Sequence, residues 1–198
     1  MGPFIDLAGR RRSVRAYDRN RPVAREQILR CLEAARLAPS ACNAQPWRFI
    51  VVDDPELKDR VAARTSGGVL PMNHFTRQAP VVVVVVAERP NLTSRLGSAV
   101  KDKAFPLIDV GIATEHFCLQ AAEEGLGTCI LGWFDEKGVR SLLGIPPKSR
   151  PLLVLTLGVP ADGGGRPKQR KTLAEIASWN AYDPADAAGP VVSATGTG

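Results

Sequence analysis

The chain has 198 residues, 44% of them hydrophobic and 23% charged, with 18 glycines, 16 prolines and a net charge of +6. That length suits one domain able to bury roughly 70% of its unfolded surface, and the composition excludes disorder, collagen and coiled coil. The longest apolar run, Ala79 to Ala87 with six consecutive valines, falls far short of the roughly 20 residues a membrane helix takes.

In chain order, Val23 to Leu37 places Ile28, Leu29, Leu32, Ala35 and Leu37 near helical spacing and ends at Pro39, which predicts an amphipathic helix with an arginine-rich outer face. Trp47 to Val52 has the aromatic and β-branched content of a strand. Asp53, Asp54 and Pro55 then turn the chain into a short helix reaching about Thr65. Ser66 to Gln78, with Gly67, Gly68 and Pro71, reads as a mobile loop with room for a helical turn. The valine run is a buried strand, and the polar segment from Glu88 to Pro106 has weak periodicity. Ile108 to Glu124 is the strongest helix, stopped by Gly125 and Gly127. Thr128 to Phe134 reads as a strand, Asp135 caps a helix to about Leu143, and Leu152 to Val159 is a further buried strand. Four strands alternating with helices support a central sheet covered by helices. Residues 1–183 are expected to form one domain, and 184–198, rich in Ala, Gly, Pro and Ser, a disordered tail.

Cysteines 31, 42, 118 and 129 form no CxxC pair, and His74 and His116 are far apart, so no metal site is expected. Cys31, Cys118 and Cys129 lie in apolar stretches where cysteine packs as a small hydrophobe. The arginines at the N-terminus follow a short apolar patch instead of preceding a long one, the wrong order for a secretory signal. A cytoplasmic protein is therefore expected, with no membrane partner.

Charge is concentrated. Between Arg10 and Arg36 nine arginines face only Asp18, Glu26 and Glu33, a cluster suited to a phosphate or a polyanion. Tyr17 is the segment's one aromatic platform for base stacking, and no helix-turn-helix or RNP pattern is present. A compact phosphorylated ligand fits better than nucleic acid. Gly125 to Ile130 superficially evokes a dinucleotide fingerprint, but the order is helix then strand, the reverse of the Rossmann turn. Gly163 to Gly165 reads as a loop, and the absence of a GxxxxGK[ST] or GxSxG element removes classical nucleotide and serine hydrolysis.

Two polar clusters bracket the first predicted helix. In RRSVR, Arg11, Ser13 and Arg15 alternate, so an extended backbone offers two guanidinium forks and a hydroxyl on one side. A solvated basic face accounts for the same composition equally well. In PSACNAQPW, Ser40, Asn43 and Gln45 are neutral hydrogen-bonding groups between Pro39 and Pro46, able to match the edge of a flat heterocycle. Plain turn chemistry explains them as well.

The ordered set RRSVRAY, APSACNAQPWRF and DVGIATEHFCLQAAEEGLGTCILGWF, followed by RPKQRKTL, closely resembles the nitroreductase family of flavoproteins from about Arg11 to about Glu175. The resemblance implies an α+β fold, an α/β sandwich whose central mixed sheet is flanked by helices, and a homodimer with one FMN in each of two interface clefts. By position, Arg11, Arg12, Ser13 and Arg15 look like the segment that holds the phosphate and the pyrimidine edge of the ring. Pro39, Ser40, Ala41 and Asn43 resemble the segment that reaches the flavin from the other subunit. Ile130, Leu131 and Gly132 align with the strand end beside the reactive N5, and Lys168 with Arg170 match a late basic pair on the phosphate. Many relatives carry an acidic residue where this chain has Leu131. Family ligands from the middle of the chain fall somewhere in Ser66 to Arg77, with Asn73 a candidate.

The expected function is FMN-dependent hydride transfer from NAD(P)H through flavin N5 to a nitroaromatic, quinone or similar conjugated acceptor, by a ping-pong mechanism. Flavin carries that chemistry and protein supplies position and charge. Arg15 is assigned to stabilising negative charge on the reduced ring. The rivals are a non-catalytic flavin-storage protein of the same fold and an anion-binding regulator acting through the arginines.

Overall fold

A run of six valines puts alternate side chains on opposite faces of a strand, so it can be buried only if both faces are covered. The computed structural model, which describes residues 2–66, 72–88, 104–161 and 168–182, covers both. Strand β2 (Val81–Ala87) lies inside a four-stranded sheet with β1 (Trp47–Val52), β3 (Gly127–Leu131) and β4 (Arg150–Gly158), in the order β1-β2-β4-β3. All three ladders are antiparallel, with Val83 opposite Val51 on one side and Leu155 on the other. Among the described residues, the parallel component of the expected mixed sheet is a single bridge between Ser13 and Thr128 on the outer edge of β3.

Helices α1 (Pro3–Arg10), α2 (Arg25–Arg36), α3 (Pro55–Ala63), α4 (Phe105–Glu123) and α5 (Glu136–Leu143) complete the main unit, Met1–Gly165. Val81, Val83 and Val85 pack with Ile28 and Cys31 of α2 and with Val110, Phe117 and Ala121 of α4. Val82, Val84 and Val86 pack on the other face with Val61 of α3 and Val139 of α5. Each valine so buried contributes about 1.5–3 kcal/mol. Phe49 of β1 stacks on Phe117, with ring centroids 5.7 Å apart.

Sequence-level stop signals act as expected. Asp54 accepts from Leu57 N–H at the start of α3, and Asp135 accepts from Gly138 N–H at the start of α5. The strand expected to reach Phe134 ends at Leu131, because Asp135 N–H bonds the Arg64 carbonyl and pulls the chain off the sheet. Helix α1 was not signalled by the sequence. It starts on Pro3 and is tied to α4 through Arg10 and Glu123, 2.7 Å apart. The second unit, Arg166–Gly198, contains α6 (Leu173–Ile176), opened by a reciprocal cap between Thr172 and Glu175. The predicted tail, the glycine loop at Gly163–Gly165, Gly67, Gly68 and Pro71, and most of Glu88–Pro106 lie outside the described residues.

Candidate active site

The basic segment is laid along the sheet by backbone bonds. Val14 N–H donates to the Thr128 carbonyl at 2.8 Å, Asp18 N–H to the Val159 carbonyl and Ala161 N–H to the Ala16 carbonyl, both at 3.0 Å. Two glycines permit the approach. A Cβ on Gly127 would stand 2.5 Å from Val14 Cγ2, and one on Gly158 would stand 2.9 Å from Tyr17 Cδ1. The Tyr17 hydroxyl donates to the Val14 carbonyl at 2.9 Å and pairs with Thr156 Oγ1 at 2.6 Å. Burial pushes this phenol well above its usual pKa, so it stays a neutral donor.

Arginines along the segment are not equivalent. Arg11 Nε lies 2.9 Å from Glu115 Oε1 of α4 and is largely buried. Ser13 and Arg15 are exposed, and Arg15 Nη1 reaches the Ser13 carbonyl at 3.4 Å. Arg15 is close enough to β3 to oppose the upward shift that burial imposes on the Cys129 thiol. Arg12 is also exposed. The alternation of Arg11, Ser13 and Arg15 thus becomes one arginine anchored on α4 and one turned outward beside β3.

Strand alternation defines the edge beside them. Since the Thr128 carbonyl faces Val14 on the outer edge of β3, the backbone N–H and carbonyl of Ile130, two residues on, face the same way. Among the described residues nothing pairs with them there. Ile130 is 40% exposed while Leu131 is buried in the opposite core. Gly132 is exposed, and a Cβ there would meet only Leu153, at 4.0 Å. The strand end therefore carries backbone groups with no partner among the described residues, next to the exposed Ile130 and Gly132.

The second cluster forms a strained turn. Cys42, Asn43 and Gln45 all have left-handed backbones, with φ of 53°, 49° and 45°, a conformation that costs non-glycine residues of order 1–3 kcal/mol each. Gln45 N–H donates to Ser40 Oγ and Gln45 Nε2 to Asn43 Oδ1, both at 3.0 Å. Ala41 N–H donates to Asp109 Oδ1 on α4 at 3.1 Å. Asp109 and Glu115 are six residues apart, about 9 Å along the helix and some 240° around it. In one chain the two clusters are thus tied to different flanks of α4.

Lys168 and Arg170 belong to the second unit, where Arg170 donates to the Gln169 carbonyl at 2.7 Å. Asn73 is left-handed at φ 62° and donates to the Thr65 carbonyl at 3.1 Å and the Trp133 carbonyl at 3.4 Å, which ties it to the loop after β3. Cys31 and Cys118 are buried, and burial pushes both thiols up to about 12, which suits packing and not nucleophilic chemistry. No group of His, Cys, Asp or Glu among the described residues is arranged to hold a metal. No described helix is long and apolar enough to cross a membrane.

Sequence reasoning missed Tyr17, Thr156 and Asp109. Tyr17 had a signal, since it continues the alternation of Ser13 and Arg15. Asp109 had none, because nothing local says that a carboxylate in an apolar helix answers a turn 68 residues earlier.

Comparison with known proteins places most of the chain. The chain matches the nitroreductase family over residues 8–71 and 67–159. An NADH dehydrogenase from Thermus thermophilus is 29% identical over 206 residues, covering 89% of this chain and 97% of its own. An oxygen-insensitive NADPH nitroreductase from Helicobacter pylori is 25% identical, with 87% and 94% covered. The solved structure of an FMN-dependent nitroreductase from Clostridium difficile superposes with a TM-score of 0.72 at 27% identity, over 90% of this chain and 99% of that one. With its basic segment on the sheet edge, its bare strand end and a match over most of its length, the chain belongs to the nitroreductase family of oxidoreductases.

Proposed function

We propose that the protein is an FMN-dependent NAD(P)H oxidoreductase reducing a nitroaromatic, quinone or similar conjugated acceptor. The observation that carries this reading is the bare edge at Ile130–Gly132 on the strand that the basic segment joins through Val14 and Thr128. The residues fit the cofactor: a phosphate wants the guanidinium and hydroxyl donors of Arg11, Arg12 and Ser13, with Lys168 and Arg170 in support. A ring with alternating donors and acceptors wants the unpaired backbone groups of Ile130 and the amide and hydroxyl of Asn43 and Ser40. When bound, FMN supplies hydride acceptance from NAD(P)H and delivery to the acceptor.

The chain's own groups set up that chemistry. Arg15 places fixed positive charge where reduction makes the ring more negative, and it needs no reorganisation to do so. Tyr17 and Thr156 hold the segment that carries it. The smooth surface at Gly132 lets a planar substrate approach. Because one face over one strand end serves both substrates, the oxidised nicotinamide leaves before the acceptor enters, which gives ping-pong kinetics. The second half of each site, Pro39, Ser40, Ala41 and Asn43, comes from a second copy of the chain. Supporting this, the two clusters hang from different flanks of α4, and Phe4 and Ile5 of α1 and Leu107 and Ile108 of α4 are exposed apolar residues suited to a symmetric interface.

The absorption spectrum of the purified protein, identification of the released cofactor and steady-state NADH and NADPH oxidation with an added quinone test the reading. Yellow protein that releases FMN and turns over with parallel double-reciprocal plots is expected. Colourless protein that takes up no flavin would leave an anion-binding role for the arginines. Yellow but inert protein would indicate flavin storage, and intersecting plots would mean separate substrate sites.

A further inference from the structure

Asp109 is a carboxylate where the sequence pattern calls for none. It stands near the start of α4 between the exposed Ile108 and the fully buried Val110, yet it is only 4% exposed. A buried carboxylate is ordinarily matched to a cation or fully hydrogen-bonded. Asp109 is neither: Oδ1 accepts from Ala41 N–H at 3.1 Å, and Oδ2 is buried with no partner among the described residues. Its one described hydrogen bond therefore goes to the first residue of the strained turn.

Four further hydrogen bonds of the turn run within it. Asn43 N–H donates to the Ser40 carbonyl, Ala44 N–H to the Ala41 carbonyl, Gln45 N–H to Ser40 Oγ and Gln45 Nε2 to Asn43 Oδ1, each at 3.0 Å. Such bonds stabilise a shape but do not say where the shape sits on the molecule. The bond from Ala41 to α4 does, and being charge-assisted it is stronger than a neutral one.

We propose that Asp109 is the positioning residue of the flavin-contacting turn, registering Ser40 and Asn43 against α4 without touching the cofactor. The inference rests on the reading above that residues 39–43 border the flavin. The design is economical in sequence terms: one side chain on a rigid helix sets where an internally bonded turn sits.

The test compares variants of the full-length protein, stripped of cofactor, titrated with FMN and with riboflavin and followed in parallel by urea unfolding. Asp109→Leu keeps the branched shape, at somewhat larger volume, but removes the acceptor, whereas Asp109→Asn keeps an acceptor for Ala41. Asp109→Leu is expected to weaken FMN and riboflavin by the same factor, about 10-fold, because the turn is assigned to the ring and not to the phosphate. Asp109→Asn should stay within about 3-fold of the parent for both flavins. Ala41→Pro approaches the bond from the other side. It deletes the N–H, and Ser40, at φ −149° and ψ 155°, already has the extended backbone that a residue before proline adopts. It should reproduce the loss, and it keeps the test available should Asp109→Leu not fold.

A lower urea midpoint with unchanged flavin affinity in Asp109→Leu and Ala41→Pro would overturn the proposal, reducing Asp109 to a structural residue. Ser40→Ala with Asn43→Ala separates the two levels. If that pair weakens flavin while Asp109→Leu does not, the positioning role fails and the flavin reading stands. If that pair leaves both flavins unaffected, the turn does not border the flavin and the proposal falls with the reading beneath it.

Discussion

Changing Tyr17 to phenylalanine removes one oxygen from the packed side of the basic segment. That oxygen meets the Val14 carbonyl at 2.9 Å and Thr156 Oγ1 at 2.6 Å, and Thr156 is fully buried. A net intramolecular hydrogen bond contributes about 0.5–1.5 kcal/mol, and a buried group left unpaired costs about 1–3 kcal/mol. Losing both bonds therefore puts Tyr17→Phe at about 2–3 kcal/mol. Thr156→Val removes one of them and nearly preserves shape, so about 1 kcal/mol is expected. In the double variant the Thr156 bond is already gone, so its cost should match that of Tyr17→Phe, a coupling of about 1 kcal/mol. Urea unfolding at one fixed protein and flavin concentration measures all four corners, since assembly and ligand binding shift apparent stability. Costs that add to within about 0.5 kcal/mol would refute the buried hydrogen bond as the anchor. Tyr17→Phe should also bind flavin more weakly, because Val14 and the Ser13 bridge are held through it.

Gly127→Val should drive Val14 off β3 and cost about 1–3 kcal/mol of stability together with flavin retention; Val14→Ala added to it should restore part of both in urea and flavin titrations, and no rescue would exclude the close approach as the cause. Arg11→Ala and Arg170→Ala should each weaken FMN by about 10- to 150-fold with riboflavin unaffected; equal losses for both flavins would remove the phosphate assignment. Cys31 and Cys118 have thiol pKa values raised by burial to about 12. The unfolded chain therefore loses these protons first, and stability should be intact below the ordinary thiol pKa and fall as pH rises from there toward 12. Cys31→Ala with Cys118→Ala should reduce that alkaline slope in unfolding midpoints, leaving the part due to Cys129 and Tyr17, which act in the same direction. Finally, heterodimers pairing a chain carrying Arg11→Ala and Arg15→Ala with a chain carrying Ser40→Ala and Asn43→Ala should recover about half of parental activity if the two sites are independent, since all four lesions meet in one cleft; inactive, folded heterodimers would reject the shared site.

Periodicity and stop residues made most of the elements legible, α1 excepted. Six valines in a row demand a strand buried on both faces, the spacing in Ile108–Glu124 demands a helix, and Asp54 and Asp135 announce the helices they cap. These are local consequences of backbone geometry, readable wherever the pattern is strong. The two polar clusters were legible as candidates for the same reason, being polar where their surroundings are not. Tertiary structure decided where each is held. Only the antiparallel order of the strands brings β3 to the edge where Ser13 and Val14 can join it, and only the absence of a side chain at Gly127 and Gly158 lets them come close. Only packing separates Arg11, bound to Glu115, from Arg15, which stays exposed and reaches back to the Ser13 carbonyl. Asp109 and Ala41 meet across 68 residues, and a hydrogen bond between groups so far apart leaves no trace in the periodicity of either segment.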